Sequence, residues 1–130
     1  MATMLGHITL VVREYDEAIA YYTRVLGFVL LEDSALGGEK RWVRVGPPGG
    51  GTALLLARAA TPVQQARIGD QTGGRVAFFL FSDDFWADYQ ALVARGVQFT
   101  AQPRAEHYGH VVVFADLYGN RWDLLEQRSM

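Results

Sequence analysis

The chain contains two copies of one pattern, which begin about 68 residues apart. In residues 7–28 an apolar, strand-like run leads into a helix-like segment that ends at Gly27, and residues 75–97 repeat that order. The segments that follow also correspond, since residues 44–55 parallel residues 114–125. A duplication of this kind restricts the fold to two similar modules. It also allows each position in one module to be compared with its counterpart in the other.

Length and composition set the remaining limits. The 130 residues, half of them apolar, suffice for one sizeable core, so both modules are expected to form a single domain. The absence of cysteine excludes disulfides, thiolate zinc sites and a cysteine nucleophile. A net charge of −2 with scattered signs predicts neither a nucleic-acid partner nor a membrane partner. Without a signal-peptide pattern or a membrane-length apolar run, we expect a cytoplasmic protein.

Hydrophobic periodicity predicts two helices, over 16–26 with Asp16 as N-cap and over 84–95. Runs rich in Val, Phe, Trp and Thr around these helices are typical of strands. The predicted strands are 5–13, 28–36, 41–45, 52–57, 75–81, 97–101, 110–115 and 121–126.

The order of these elements predicts an α+β fold with two tandem βαβββ modules. Module 1 covers about 1–58 and module 2 about 75–130. The connecting stretch, 59–74, has no clear period and is interpreted as a linker with room for a short helical turn.

Alternation along the strands assigns side chains to the two faces of each sheet. A helix packed on one face leaves every second residue on the other, open face. Basic and acidic groups then lie among apolar residues on that open face, which is the composition expected for the floor of a ligand cup. The predicted open-face residues are His7, Thr9, Val11, Arg75, Ala77, Phe79, Phe81, Arg121, Asp123 and Leu125.

Three segments resemble a known family. His7–Val12 followed by Ala18–Phe28, and the ending Phe114–Glu126, resemble the vicinal oxygen chelate superfamily, which includes lactoylglutathione lyase, bleomycin-resistance proteins and extradiol dioxygenases. The resemblance covers almost the whole chain and is specific for fold rather than for reaction. It implies two βαβββ modules whose curved mixed sheets surround a cup, and it implies a homodimer.

The resemblance also implies where a metal would be held. Metal-dependent members place one ligand near the start of each module's first strand and one in each module's last strand. Those positions hold His7, a residue within 52–57, Arg75 and Asp123. The leucine-rich fourth strand offers no strong ligand, and the guanidinium of Arg75 repels a cation. His7 with Asp123 alone should bind a divalent metal weakly, so we expect no metal cofactor.

The charged residues of this predicted site allow alternative interpretations. Arg75 and Asp123 could form an ion pair in place of the metal, the alternative we favour. Arg75, helped by Arg121, could instead receive an anionic group of a ligand. His7 is either a ligand-contacting imidazole or a hydrogen-bonded strand histidine. His110 could be recruited as a third metal ligand, although its spacing from His107 at a loop-to-strand junction argues against a shared site.

Aromatic residues complete the predicted site. Trp42, Tyr108 and Phe79 are candidates for stacking on a flat ligand, although most strand aromatics only pack. Trp86 and Trp122 are assigned to the core.

The predicted function is metal-independent binding of a small molecule, of the glyoxalase/bleomycin-resistance type. The alternative is a lyase or dioxygenase that uses Zn, Ni, Mn or Fe held by His7, Asp123 and a recruited third ligand. A metal-free isomerase with His7 as general base is a third possibility. The predicted ligand-binding residues are His7, Arg75, Asp123, Phe79, Trp42, Tyr108, His110 and Arg121.

Overall fold

The computed structural model describes residues 1–126, so the last four residues of the second predicted module lie outside the described range. No helix of these 126 residues has the length and apolar content that a membrane crossing requires. The elements in chain order are β1 (His7–Val12), α1 (Tyr15–Ala20, continued by a π-helical turn over Tyr21–Val25), β2 (Val29–Gly37), β3 (Lys40–Gly46), β4 (Ala53–Arg58), α2 (Pro62–Gln65), β5 (Val76–Ser82), α3 (Phe85–Ala94), β6 (Gln98–Phe99), β7 (Arg104–Glu106), β8 (Gly109–Ala115) and β9 (Arg121–Glu126).

The chain divides into two compact units, Met1–Ile68 and a second from Gly69 onward, and each contains one mixed sheet. The strand order is β1-β4-β3-β2 in the first sheet and β5-β9-β8-β6 in the second, where β7 also pairs with β8. In both sheets the first strand of the module pairs in parallel with the last. The predicted α+β fold of two βαβββ modules is therefore confirmed. In module 2 the second strand is interrupted between β6 and β7, where Pro103 has no N–H for a ladder bond.

The first core lies between α1 and one face of the first sheet. Leu10, Val12, Val43 and Val45 are fully buried on that face, because alternate strand residues point to the same side. Each fully buried aliphatic side chain stabilises the fold by roughly 1.5–3 kcal/mol. The N-cap of α1 is Glu14, not Asp16 as predicted, and it makes no side-chain cap bond. Two further fully buried residues, Ala18 and Tyr22, come from the helix side.

The second core is a continuous row of aromatic rings. Tyr89 of α3 contacts Phe99, Phe99 contacts Phe114, and Phe114 stacks on Trp122 with ring centroids 4.9, 6.0 and 5.8 Å apart. Trp122 is 2% exposed, as predicted. The core assignment of Trp86 is wrong, since it is 47% exposed. Trp86 lies in the first turn of α3, where its ring contacts the imidazole of His110.

The turn between β8 and β9 is fixed by Asp116, whose carboxylate accepts hydrogen bonds from the backbone N–H groups of Tyr118 and Asn120 and from the indole N–H of Trp122. Gly69 packs against this turn, because a Cβ atom at Gly69 would lie 2.0 Å from the carbonyl oxygen of Tyr118. These contacts determine the residue at which β9 begins, and therefore the position of Asp123 within that strand.

Candidate functional site

The open face of the first sheet forms the floor of a groove. Thr9 and Val11 of β1 lie opposite Leu55 and Ala57 of β4, on the side of the sheet away from the buried core. Together with Trp42 of β3 they line a cavity of about 800 Å³. We call these five residues the first face. A volume of this size is within the range of roughly 300–1,000 Å³ that is usual for small-molecule sites.

Most charged side chains at the rim of this groove are paired with each other, whereas Lys40, which also lines the groove, forms no ion pair with a described residue. Arg41 binds the carboxylates of Asp33 at 2.7 Å and Asp16 at 2.8 Å, and Arg58 binds Glu39 at 3.1 Å. The hydrogen bond from Arg41 lowers the pKa of Asp33, so this carboxylate stays ionised. A groove with an apolar floor and mostly paired rim charges suits a largely apolar ligand.

His7 and Trp42, both predicted site residues, are brought together at this face. Their rings meet edge to face with centroids 5.5 Å apart, and His7 is exposed. The register pairs His7 with Ala53 of β4. The position opposite His7 therefore carries a methyl group, which cannot ligate a metal.

The open face of the second sheet has a different composition. Asp123 of β9 lies between Phe79 of β5 and Val113 of β8, and Leu125 lies beside Phe81. We call these five residues the second face. Phe79 is 55% exposed and Phe81 is 66% exposed. Two large exposed aromatic side chains on one strand are typical of a binding surface rather than of ordinary solvent-facing positions.

Asp123 is the most unusual residue of the second face. It is only 9% exposed, and its Oδ1 atom has no hydrogen-bond partner within residues 1–126. Burial raises the pKa of Asp123, and the nearby charge of Arg104 offsets part of that increase. Arg104 itself donates a hydrogen bond to Glu106 at 2.8 Å. A buried carboxylate without a hydrogen-bond partner is unfavourable for stability, which makes Asp123 a candidate functional residue.

The predicted ion pair between Arg75 and Asp123 is not present in the structure, so the favoured alternative is wrong. Arg75 is exposed and precedes β5, whereas Phe79 is the residue that lies opposite Asp123. The guanidinium of Arg121 donates to the carbonyl oxygen of Gly74 at 3.3 Å. The family resemblance suggested that Arg75 lies beside Asp123, but the register of β5 against β9 could not be determined from the sequence.

His110 does not lie with the other predicted ligand-binding residues. Its ring contacts Phe85 and Trp86 of α3 at centroid distances of 5.7 and 5.1 Å, and its Nδ1 atom contacts Glu126. Because neighbouring residues of β8 alternate between faces, His110 is on the helix side and Asp123 on the open side.

The remaining candidate, Tyr108, is exposed in the turn between β7 and β8.

The donor groups do not fit a catalytic divalent metal. Across the described part of the chain, no three His, Asp or Glu side chains are grouped as a metal site requires. His7 lies opposite Ala53, and His110 and Asp123 lie on opposite faces of the second sheet. The charged side chain that shifts the pKa of Asp123 is Arg104, and its positive charge would repel a cation bound there.

Sequence reasoning missed several residues of these faces. The first-face residue Leu55 and the rim residues Arg41 and Arg58 carry no motif, and Arg104 lies on a strand that the periodicity did not predict. Alternation along the strands was the usable signal, and it placed Phe79, Phe81 and Asp123 on the open face.

Comparisons with known proteins agree with this architecture. The family profile described as Glyoxalase/Bleomycin resistance protein/Dioxygenase superfamily matches residues 4–124. An uncharacterized protein of Shewanella frigidimarina is 52% identical over 128 residues, which cover 97% of this chain and 95% of that protein. The UcmS2 chain, known from its crystal structure, is 31% identical in sequence to this chain. The match covers 96% of this chain and 98% of the UcmS2 chain, with a TM-score of 0.82. TnmS3, an antibiotic binding protein from Streptomyces sp. CB03234, is 28% identical over 98% of both chains, with a TM-score of 0.78.

Proposed function

We propose that this chain, which belongs to the glyoxalase/bleomycin resistance protein/dioxygenase superfamily, is a metal-independent protein that binds a small molecule. The observation that carries this proposal is the groove of about 800 Å³ on the first face. Its apolar floor and mostly paired rim charges favour a flat, largely apolar ligand that stacks on Trp42. The antibiotic binding of the similar protein TnmS3 supports the same class of ligand.

The metal-dependent lyase or dioxygenase receives less support, because no three donor side chains are grouped in residues 1–126. Elemental analysis of protein purified without chelators tests this point directly. We expect Zn, Ni, Mn and Fe at trace levels, and one equivalent of any of them per chain would contradict metal-independent binding.

Ligand binding in the groove is tested with a panel of neutral, fused-ring aromatic antibiotics. We expect at least one compound to bind the purified protein in isothermal titration calorimetry. Trp42→Ala should then lower its affinity at least about tenfold, because a stacking aromatic anchor is worth more than roughly 1.4 kcal/mol. The matched control is Trp86→Ala, since Trp86 is also part-exposed but belongs to the second unit. Unchanged affinity in Trp42→Ala, with far-UV circular dichroism intact, would remove the groove from the proposal.

The family resemblance further supports a cytoplasmic homodimer, which we include in the proposal. Light scattering after size-exclusion chromatography measures the assembly, and we expect twice the chain mass of 14.4 kDa.

A further inference from the structure

We infer that the second face binds a ligand that combines an apolar or aromatic body with a hydrogen-bond donor, a hydroxyl or a protonated amine, and that Asp123 accepts that hydrogen bond. The inference rests on the proposed function and names the chemistry of the ligand. It follows from three features of the second unit: an unpartnered acceptor, exposed rings beside it, and charges around it that are already engaged.

The unpartnered acceptor is the carboxylate of Asp123. Its side chain is more than nine-tenths buried, and Oδ1 receives no hydrogen bond from any described residue. Backbone and side-chain acceptors in protein interiors are nearly always satisfied, and leaving one unsatisfied costs roughly 1–3 kcal/mol. A ligand donor that reaches this carboxylate would recover that cost on binding. The same site therefore selects against ligands that have only acceptor atoms.

The exposed rings are Phe79 and Phe81, on the strand next to Asp123. Phe79 lies directly opposite Asp123 in the parallel pair β5–β9, and Phe81 lies opposite Leu125. With more than half of each ring exposed, the two phenylalanines offer a flat apolar surface within one residue's width of the carboxylate. An aromatic body on this surface would place a short substituent over Asp123.

The surrounding charges do not provide the missing partner. The charge of Arg104 offsets part of the increase in the pKa of Asp123. Its Nε atom, however, donates a hydrogen bond to Glu106 and none to Asp123. Arg121, two residues before Asp123, donates to the carbonyl oxygen of Gly74. Burial outweighs the effect of Arg104 on the pKa of Asp123, so Arg104 offsets only part of the cost of burying this carboxylate.

Three matched probes test this inference: naphthylmethylamine, naphthylmethanol and the methyl ether of naphthylmethanol. The ether keeps the aromatic body and an acceptor oxygen but has no donor. We expect the amine and the alcohol to bind the wild-type chain at least about tenfold more tightly than the ether. In Asp123→Leu this preference should disappear, and in Asp123→Asn the advantage of the amine over the ether should fall at least about tenfold. Asp70→Asn is the matched control, because it makes the same chemical change at an exposed position of the same unit.

Each outcome decides the inference. Equal affinities for the three probes in the wild-type chain, or an unchanged preference in both Asp123 variants, would overturn it while leaving the groove of the first unit untouched. Failure of all three probes to bind would also overturn it. The proposed function is tested separately, by the affinity of the antibiotic panel for the wild-type chain and for Trp42→Ala. The isosteric Asp123→Asn keeps the shape of the side chain, so the test does not depend on whether Asp123→Leu folds.

Discussion

The two sheets share one topology but hold their carboxylates in opposite ways. In the first sheet Asp33 is bound by Arg41 at 2.7 Å, and its pKa is lowered. In the second sheet Asp123 has an oxygen without a hydrogen-bond partner in the described residues, and burial raises its pKa. Duplication of the chain pattern thus preserved the strand order while the polar groups diverged. We infer that function, rather than stability, selects the unsatisfied carboxylate of the second sheet.

The turns that enter the last strand of each module give the largest expected difference between the two units. Gly69→Ala should reduce the free energy of unfolding by about 3–5 kcal/mol, because its Cβ would lie 2.0 Å from the carbonyl oxygen of Tyr118 at a φ of 76°. Gly50→Ala is the control, since Gly50 has a φ of 84° but nothing within 4 Å. That change should cost only about 1–2 kcal/mol, the cost of the left-handed conformation. Urea unfolding measures both, and equal losses would show that the β8–β9 turn can move away.

Replacement of Asp123 should stabilise the empty protein. Its folded-state pKa lies above the ordinary value of 3.8, so folding takes up protons in that pH window. The raised pKa therefore stabilises the folded state most below the ordinary pKa. This stabilisation is lost as the pH rises through the folded-state pKa of Asp123. We therefore expect Asp123→Asn to be more stable than wild type by about 1–2 kcal/mol at pH 8, and the difference to vanish near pH 3.

Asp33→Asn provides the opposite pH dependence for the first sheet. The pKa of Asp33 is lowered, so its stabilising effect is present above the ordinary value of 3.8 and is lost as pH falls through the lowered one. Chemical unfolding between pH 3 and pH 8 should show Asp33→Asn as the less stable protein at the upper end only. A parallel pH profile for both variants would contradict the contrast between the two sheets.

The ion pairs at the groove rim should have the smallest effect. Arg41 and Asp33 are each about 30% exposed, so Arg41→Met should lower stability by about 1 kcal/mol or less, and added salt should reduce the difference. Arg13→Met is the control, because the Arg13 side chain is 68% exposed in its pair with Glu17. A loss well above 2 kcal/mol for Arg41→Met would mean that the rim is structural rather than an accessory to the groove.

Hydrophobic periodicity predicted the helices and strands because each element repeats its apolar residues at its own spacing. The helix over 84–95 was found as Phe85–Ala94, with Asp84 as its N-cap. The helix over 16–26 was found with a different cap, since Asp16 binds Arg41 from β3, a long-range partner that local sequence cannot show. The split of the second strand in module 2 was also missed, although Pro103 was visible as a strand breaker.

The two-module α+β architecture, the apolar cores and the place of Asp123 as a polar residue on an open face could all be predicted from side-chain spacing, which is a local property of the chain. Which residues face each other could be seen only in the folded sheets: Ala53 lies opposite His7, Phe79 lies opposite Asp123, and His110 lies on the other side of the sheet from Asp123. Strand register decided this, because a shift of one residue exchanges the faces of every side chain, and only packing of the whole sheet fixes it.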